Sequence, residues 1–135
     1  IHADLGVDAN VMFWRGAARA IDFDDSGFGY WIYDLAVALE HCREDPAYSQ
    51  YRNALLSGYE DIRSLPEEQI DKLELFLVAF QVYWCLWATA VGYLHPAHRV
   101  PLASRIERAV RLVNSYLAEG ERGSSPGCRP TTACT

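Results

Sequence analysis

One stretch near the start of the chain decides the fold: residues 2–36 read HADLGVDANVMFWRGAARAIDFDDSGFGYWIYDLA. Two short runs of β-forming apolar residues, 10–14 and 18–23, flank the pair Arg15 and Gly16. Glycine readily adopts the positive φ that a tight turn needs. The pattern therefore predicts a β-hairpin, followed by a loop rich in Asp, Ser and Gly.

Three polar side chains stand at the open end of this hairpin. Asn10 begins the first strand, Asp22 ends the second, and Asp4 lies in the loop that leads in. Because a hairpin brings those two strand ends together, we expect Asn10 and Asp22 to be neighbours. An amide oxygen beside a carboxylate suits magnesium that is held partly by phosphates. A further carboxylate can orient a hydroxyl group and accept its proton.

These residues resemble the aminoglycoside phosphotransferase and choline kinase family, which is related to the protein kinases. The family's loop reads roughly His-Gly-Asp-Leu-His-x-x-Asn, and its metal segment reads Ile-Asp-x-x-x-x-Gly-x-Gly-Asp-x-x-x-Asp-Leu-Ala. The resemblance covers residues 1–36 motif by motif and the helical remainder only loosely. The combination of pieces in order, at near-correct spacing, is more specific than any one of them.

The resemblance implies a role for five residues. Asp4 is the catalytic base, Asn10 and Asp22 bind Mg²⁺, Asp34 braces the catalytic loop, and His2 holds that loop by hydrogen bonds. The implied reaction is phosphoryl transfer from ATP or GTP to a hydroxyl group of a small molecule. The acceptor is expected to contact the helical region.

The sequence departs from the family pattern at three places. The interval from Asp4 to Asn10 is one residue longer and contains Asp8, so either Asp8 or Asn10 can face the metal; Asn10 is favoured because it directly precedes the strand. Gly6 replaces the second histidine, and Tyr30 replaces an acidic residue. Asp8 and Asp24 remain candidates for supporting the metal ligands from behind, although Asp24 and its neighbour also suit an ordinary turn.

The nucleotide-binding part of the family is not recognisable in these 135 residues. The family's amino-terminal lobe supplies a loop over the phosphates, a lysine and the adenine hinge, whereas this chain starts inside the catalytic loop and contains no Gly-x-Gly-x-x-Gly or Walker sequence. We therefore expect a fragment, most of a carboxy-terminal lobe. Its missing partner is the amino-terminal lobe, and it is expected to be inactive alone.

In the rest of the chain, apolar residues recur at helical spacing and predict helices. Asp45 suits a helix cap, Ser64 and Glu67 form a capping-box pattern, and Gly120 suits the end of the last helix. On that last helix, Ile106, Val110, Val113 and Leu117 share one face. The predicted helices run approximately from Trp31 to Arg43, Pro46 to Ile62, Pro66 to Leu94 and Pro101 to Glu119. Residues 1–120 thus form one lobe, and 121–135 a disordered tail.

The third helix carries no formal charge from Leu75 to Leu94. About 20 apolar residues can span a bilayer, but such a run also suits the central helix of a helical lobe. We expect the second interpretation, with this half enclosed by the helices at 46–62 and 101–119. The aromatic residues from Tyr83 to Trp87 are then core residues and not a stacking platform.

Composition narrows the function classes further. The net charge is −6, which argues against nucleic-acid binding and is compatible with a cationic substrate. The cysteines form no Cys-x-x-Cys pair, so no zinc site is expected, and Cys42 and Cys85 suit core positions. No signal peptide is visible, which predicts a reducing, cytoplasmic setting.

The predicted fold is α+β and mainly helical, the carboxy-terminal lobe of a protein-kinase-like fold with one β-hairpin and about four helices. The predicted protein is a phosphotransferase fragment that acts with Mg²⁺ and ATP or GTP on a small-molecule hydroxyl, without nucleic acid or membrane. Two alternatives stay open. One is a kinase-like binding module without catalysis, and the other is a helical membrane-associated protein built around Leu75 to Leu94.

Overall fold

The computed structural model of the chain describes residues 1–6, 9–98 and 101–123. It confirms the α+β, mainly helical fold, with one antiparallel hairpin beside a group of helices. The elements in chain order are β1 Val11–Trp14, β2 Ala17–Ala20, α1 Trp31–Glu40, α2 Tyr48–Glu60, α3 Glu67–Ile70, α4 Leu73–Leu94, a short 3₁₀ helix Pro96–His98 and α5 Leu102–Gly123.

The hairpin forms as predicted. Val11 pairs with Ala20 and Trp14 pairs with Ala17. The turn residues Arg15 and Gly16 both have positive φ, at 50° and 77°. Positive φ at both central positions is the geometry of a type I′ turn, whose twist matches that of the flanking strands.

Helix α1 is the centre of the hydrophobic core. Every residue from Leu35 to Glu40 is buried, because α1 packs against α4 on one side and α2 on another. Leu73 and Leu77 of α4 are fully buried in this core. The predicted cap at Asp45 is wrong, because α2 begins at Tyr48 and no side chain caps it. Asp45 Oδ1 instead accepts a hydrogen bond of 2.7 Å from the Ala47 amide in the turn before the helix.

The predicted single helix from Pro66 to Leu94 is wrong. It is divided into α3 and α4, because the Lys72 amide bonds to the Gln69 carbonyl three residues back and interrupts the α-helical ladder. The predicted capping box is also wrong. Pro66, with ψ of 139°, precedes α3, and no side chain caps that helix. Leu65 is instead buried in the core, which draws this segment inward.

The predicted packing around α4 is partly wrong. α4 packs against α1 and α5, whereas α2 packs on α1. Phe80 is buried, but Tyr83 is 54% exposed and Trp87 is 50% exposed, so the aromatic run is not wholly core. α5 continues to Gly123, beyond the predicted end at Glu119. Residues 124–135, where most of the predicted disordered tail falls, lie outside the described residues.

One helical segment of the described chain, Glu67–Leu94, is long and apolar enough to cross a membrane by length and composition alone. About a third of its most apolar stretch is buried inside the protein. A core helix of a soluble protein meets the same two criteria, and α4 does supply fully buried residues to the core.

Candidate active site

Asp34 holds the loop that contains Asp4. Its Oδ2 accepts a hydrogen bond from the His2 amide, and its Oδ1 accepts one from the Ala3 amide, both at 2.8 Å. Asp34 lies in the first turn of α1, so the rigid core helix positions the loop. Ala3 has a φ of 70°, a left-handed conformation that is unfavourable for alanine and easy for the glycine of the family pattern.

His2 connects the same loop to the end of β2. Its Nε2 lies 2.9 Å from the Ile21 carbonyl oxygen, and its Nδ1 lies 3.4 Å from the Asp4 amide nitrogen. The carbonyl needs a donor and the amide needs an acceptor, which assigns the ring proton to Nε2. The ring is buried and lies 4.8 Å from the ring of Phe23. His2 is therefore a structural connection between the loop and the hairpin.

Asn10 fixes the side chain of Asp4. Its Nδ2 donates to the Asp4 backbone carbonyl and to Asp4 Oδ2, each at 2.8 Å. Because both partners are acceptors, the amide nitrogen must face Asp4, and Asn10 Oδ1 points elsewhere. Asn10 is 8% exposed, so this pair forms a well-packed unit at the start of β1.

Asp22 lies one residue beyond the position that pairs with Asn10. The Ile21 amide donates to the Asn10 carbonyl at 3.0 Å, so Ile21 continues the hairpin register opposite Asn10. Asp22 has a φ of 62°, which turns the chain out of the strand, and its side chain is exposed. Asn10 and Asp22 thus stand at the same open end of the hairpin, and their binding of one ion stays a prediction.

The donor chemistry at this end fits magnesium. The hydrogen bonds of Asn10 use its nitrogen, which leaves Oδ1 as a ligand oxygen, and Asp22 offers an exposed carboxylate. Within the described residues, no group of three or more His, Cys, Asp or Glu side chains is arranged to hold a metal. Two protein oxygens are consistent with Mg²⁺, which keeps waters and phosphate oxygens as its other ligands.

Two further acidic residues were candidates for the metal site, and the structure describes only one of them. Asp8, the alternative metal ligand, lies outside the described residues. Asp24 is exposed in a turn that the Ser26 amide closes on the Phe23 carbonyl, at 3.0 Å. That loop returns to the chain start, where a Cβ on Gly29 would meet the Ile1 side chain, which would have to shift to make room.

A cleft of about 640 Å³ opens beside Asp4. Its lining includes Asp4, Asp25 and aromatic side chains from α4 and the start of α1. None of the described residues that line the cleft is a lysine or an arginine, but His41 is among the lining residues. The aromatic residues are Tyr30, Tyr33, Phe76, Phe80, Tyr83, Trp84 and Trp87.

Tyr33 is at the centre of this aromatic lining. Its ring makes edge contacts with Phe76 at 6.1 Å and Phe80 at 6.2 Å between centroids. Burial raises the pKa of Tyr33, and Tyr83 and the carboxylates of Asp4, Asp34 and Asp25 raise it further. The hydroxyl group therefore stays protonated and can donate a hydrogen bond in the cleft.

The aromatic lining of the cleft was not predicted from the sequence, although the spacing of its α4 residues indicates that they share a helix face. Phe76, Phe80, Tyr83 and Trp87 follow one another at steps of four, three and four residues, which places them on one face of a helix. The same spacing is typical of core residues. What separates the two cases is the tertiary position of that face beside Asp4.

Comparison with known proteins agrees with this geometry. The sequence model of the phosphotransferase enzyme family (APH) matches residues 1–69, the part that holds Asp4, Asn10, Asp22 and Asp34. The chain belongs to the phosphotransferase enzyme family. The predicted family resemblance is thus confirmed.

A homoserine kinase from Sinorhizobium medicae (strain WSM419) is 37% identical over 78 residues. The match covers 56% of this chain and 24% of the relative, so the chain spans about a quarter of the relative's length. No solved structure gives a significant match.

Proposed function

We propose that this chain carries the acceptor site and catalytic base of an ATP- or GTP-dependent phosphotransferase that acts on a small-molecule hydroxyl. The observation that carries the proposal is the position of Asp4, fixed by Asn10 and lying on the wall of a cleft. A carboxylate held in this way can orient a hydroxyl group and accept its proton as the oxygen attacks phosphorus.

The residues around Asp4 keep it in place during this reaction. Asp34 and His2 hold the loop from two sides, through the backbone of residues 2 and 3 and through the Ile21 carbonyl. Phosphoryl transfer depends mainly on positioning and on electrostatic stabilisation, so rigid support of the base is a direct contribution to the rate. Asn10 Oδ1 and Asp22 would hold Mg²⁺, which supplies neutralisation of charge on the nucleotide's phosphates.

The lining of the cleft favours an alcohol that bears an ammonium group. Aromatic faces attract cations, by about 0.5–2 kcal/mol each, and Asp25 adds a carboxylate near the opening. Homoserine, the substrate in the relative's name, also carries a carboxylate, and the described lining offers no lysine or arginine to pair with it. We therefore propose an amino alcohol without a carboxylate, such as choline or ethanolamine.

Transfer also requires a nucleotide site, which we propose is supplied by an amino-terminal lobe that covers the open end of the hairpin. Contacts to the phosphates through the metal alone would be exposed to water, where charge interactions are weak. The 135-residue chain by itself is thus expected to bind an acceptor weakly and to be inactive as a kinase.

Acceptor binding tests the cleft without requiring turnover. We expect choline to change the tryptophan fluorescence of this chain, and homoserine to do so only at concentrations at least about tenfold higher. Trp87→Leu should weaken choline binding about 2- to 30-fold, because Trp87 lines the cleft and one aromatic face is worth about 0.5–2 kcal/mol. The control Trp14→Leu changes an exposed hairpin tryptophan and should preserve choline binding. Tighter binding of homoserine than of choline would overturn the proposed acceptor class.

A further inference from the structure

Contacts on one side of helix α5 fix its orientation about the helix axis. Arg108 Nη1 lies 2.9 Å from Oε1 of Glu40, a side chain buried in α1. The guanidinium carbon of Arg105 lies 4.0 Å over the Trp84 ring, and Cys85 Sγ lies 3.5 Å from the Arg105 carbonyl. Turning α5 about its axis would leave the Glu40 carboxylate buried and without its cation, which is unfavourable.

This orientation turns the most apolar face of α5 outward. Ile106 is 48% exposed, Val110 is 52% exposed and Leu117 is 57% exposed. With the partly buried Val113, they recur at steps of four, three and four residues. The side of α5 that carries Arg105 and Arg108 thus contacts α1 and α4, and the aliphatic stripe lies at the surface.

Helix α4 has a second exposed stripe, formed by Leu75, Ala79, Val82, Leu86, Thr89 and Tyr93. The steps are four and three residues in strict alternation, and all six side chains are exposed. That 3.5-residue period is the one by which two packed helices keep contact. Successive helix residues differ by about 100°, so Leu75 points roughly opposite to Leu73 and Leu77, which are buried in the core with α1.

The two stripes adjoin each other. α4 and α5 pack together, with Cys85 beside Arg105, and α1 occupies one side of the pair. On both helices the exposed stripe follows the α4–α5 contact on the side turned away from α1, by the same rotation argument. The pair therefore has an uncovered apolar face that is separate from the aromatic residues lining the cleft.

We propose that this uncovered face is a self-association surface, on which the α4–α5 pair of a second copy packs. The stretch from Leu75 to Leu94 carries no charge, so the α4 part of the face has no charged group that would attract a charged partner or repel an identical copy. A partner must present helices with the same 3.5-residue stripes, and α4 and α5 themselves do.

The size of the face is sufficient for a specific complex. Seven apolar side chains on it, from Leu75 to Leu117, are between 39% and 81% exposed. Together they offer on the order of 600 Å² before the smaller residues between them are counted, and stable interfaces bury about 800 Å² per partner. Two such pairs related by a twofold axis would form a closed dimer, and twofold dimers are the commonest symmetric assemblies.

Sedimentation equilibrium of the 135-residue chain tests this proposal. We expect a monomer–dimer equilibrium in detergent-free buffer. Leu86→Glu or Val110→Glu should raise the dissociation constant at least about thirtyfold, the effect of losing a central contact residue. The control Ser115→Glu adds the same charge to an exposed position of α5 outside the stripe and should leave the equilibrium unchanged.

Circular dichroism of each variant shows whether the fold is kept. A folded wild-type chain that stays monomeric, or a dimer that both glutamate variants leave intact, would overturn the proposal. Flotation of the chain with phosphatidylcholine vesicles in place of dimer formation would also overturn it, in favour of a membrane-bound face. Because no acceptor or nucleotide is present, none of these results depends on the proposed catalytic function.

Discussion

The catalytic loop and the α4–α5 pair are stabilised in different ways. Side chains of Asp34 and Asn10 hold the loop through four hydrogen bonds of 2.8 Å, while the neighbouring hairpin leaves residues such as Phe13 and Trp14 exposed. α4 instead contributes fully buried leucines to the core and packs against both α1 and α5.

This difference assigns function mainly to the loop and stability mainly to the helices. The loop has precise polar geometry but little buried apolar surface, so its contribution to the free energy of unfolding should be small. The helices bury the apolar surface that keeps the chain folded, and α4 reaches the chemistry only through its aromatic side chains in the cleft. Substitutions in the two regions should therefore affect different measurements.

The largest effect on stability is expected from Leu77→Ala. Leu77 is fully buried between α1 and α4, and truncating such a side chain costs about 3 kcal/mol through lost burial and a cavity. Leu94→Ala at the end of the same helix is the matched control, since Leu94 is 68% exposed and lies outside the proposed association surface; its cost should be within about 0.5 kcal/mol. Urea unfolding measures both, and equal losses would contradict the assignment of the two faces.

Asp34→Asn should have a smaller effect, located in the loop. An asparagine keeps one acceptor and turns a donor toward the other amide, so about 1.5 kcal/mol should be lost. Hydrogen exchange should accelerate at the amides of His2 and Ala3 and stay unchanged in α4. Asp61→Asn, at an exposed residue after α2, is the control; uniform acceleration along the whole chain would contradict a local brace.

Ala3→Gly should have the smallest effect, and in the stabilising direction. Ala3 has a φ of 70°, and releasing a non-glycine residue from this region gains about 0.5–1 kcal/mol after the greater freedom of glycine in the unfolded chain is subtracted. Ala9→Gly, at a residue of the same loop without positive φ, should instead destabilise slightly. A lower urea midpoint for Ala3→Gly would refute the strain at this position.

The fold and the loop could be predicted because their determinants are local. A glycine turn between two β-forming runs specifies the hairpin, and the order of Asp4, Asn10, Asp22 and Asp34 specifies the family. The hydrogen bond between Asn10 and Asp4 could not be predicted, because the sequence suggested Asn10 only as a metal ligand. The Asn10 amide nitrogen bonds to Asp4, whereas its oxygen is the predicted metal ligand, and only the geometry separates these two roles.

The packing of the helices could not be predicted, because periodicity shows that a face is apolar and not what covers it. The stripe containing Phe80, Tyr83 and Trp87 has core spacing yet lines a cleft. The capping-box pattern at Ser64 was overridden by burial of Leu65. Tertiary contacts decided each of these cases, and they are not written in the local pattern.

The catalytic role of Asp4 is tested most directly by phosphoryl transfer to a panel of hydroxyl acceptors, measured on this chain and on a longer protein that also carries a nucleotide-binding lobe. We expect no transfer by the 135-residue chain and transfer by the longer protein. Asp4→Asn in the longer protein should lower kcat about a thousandfold, within the range of general-base catalysis, while the control Asp61→Asn changes nothing. Undiminished transfer after Asp4→Asn, or acceptor binding with no transfer by any form, would contradict the catalytic role of Asp4, and the second result would indicate a kinase-like binding module.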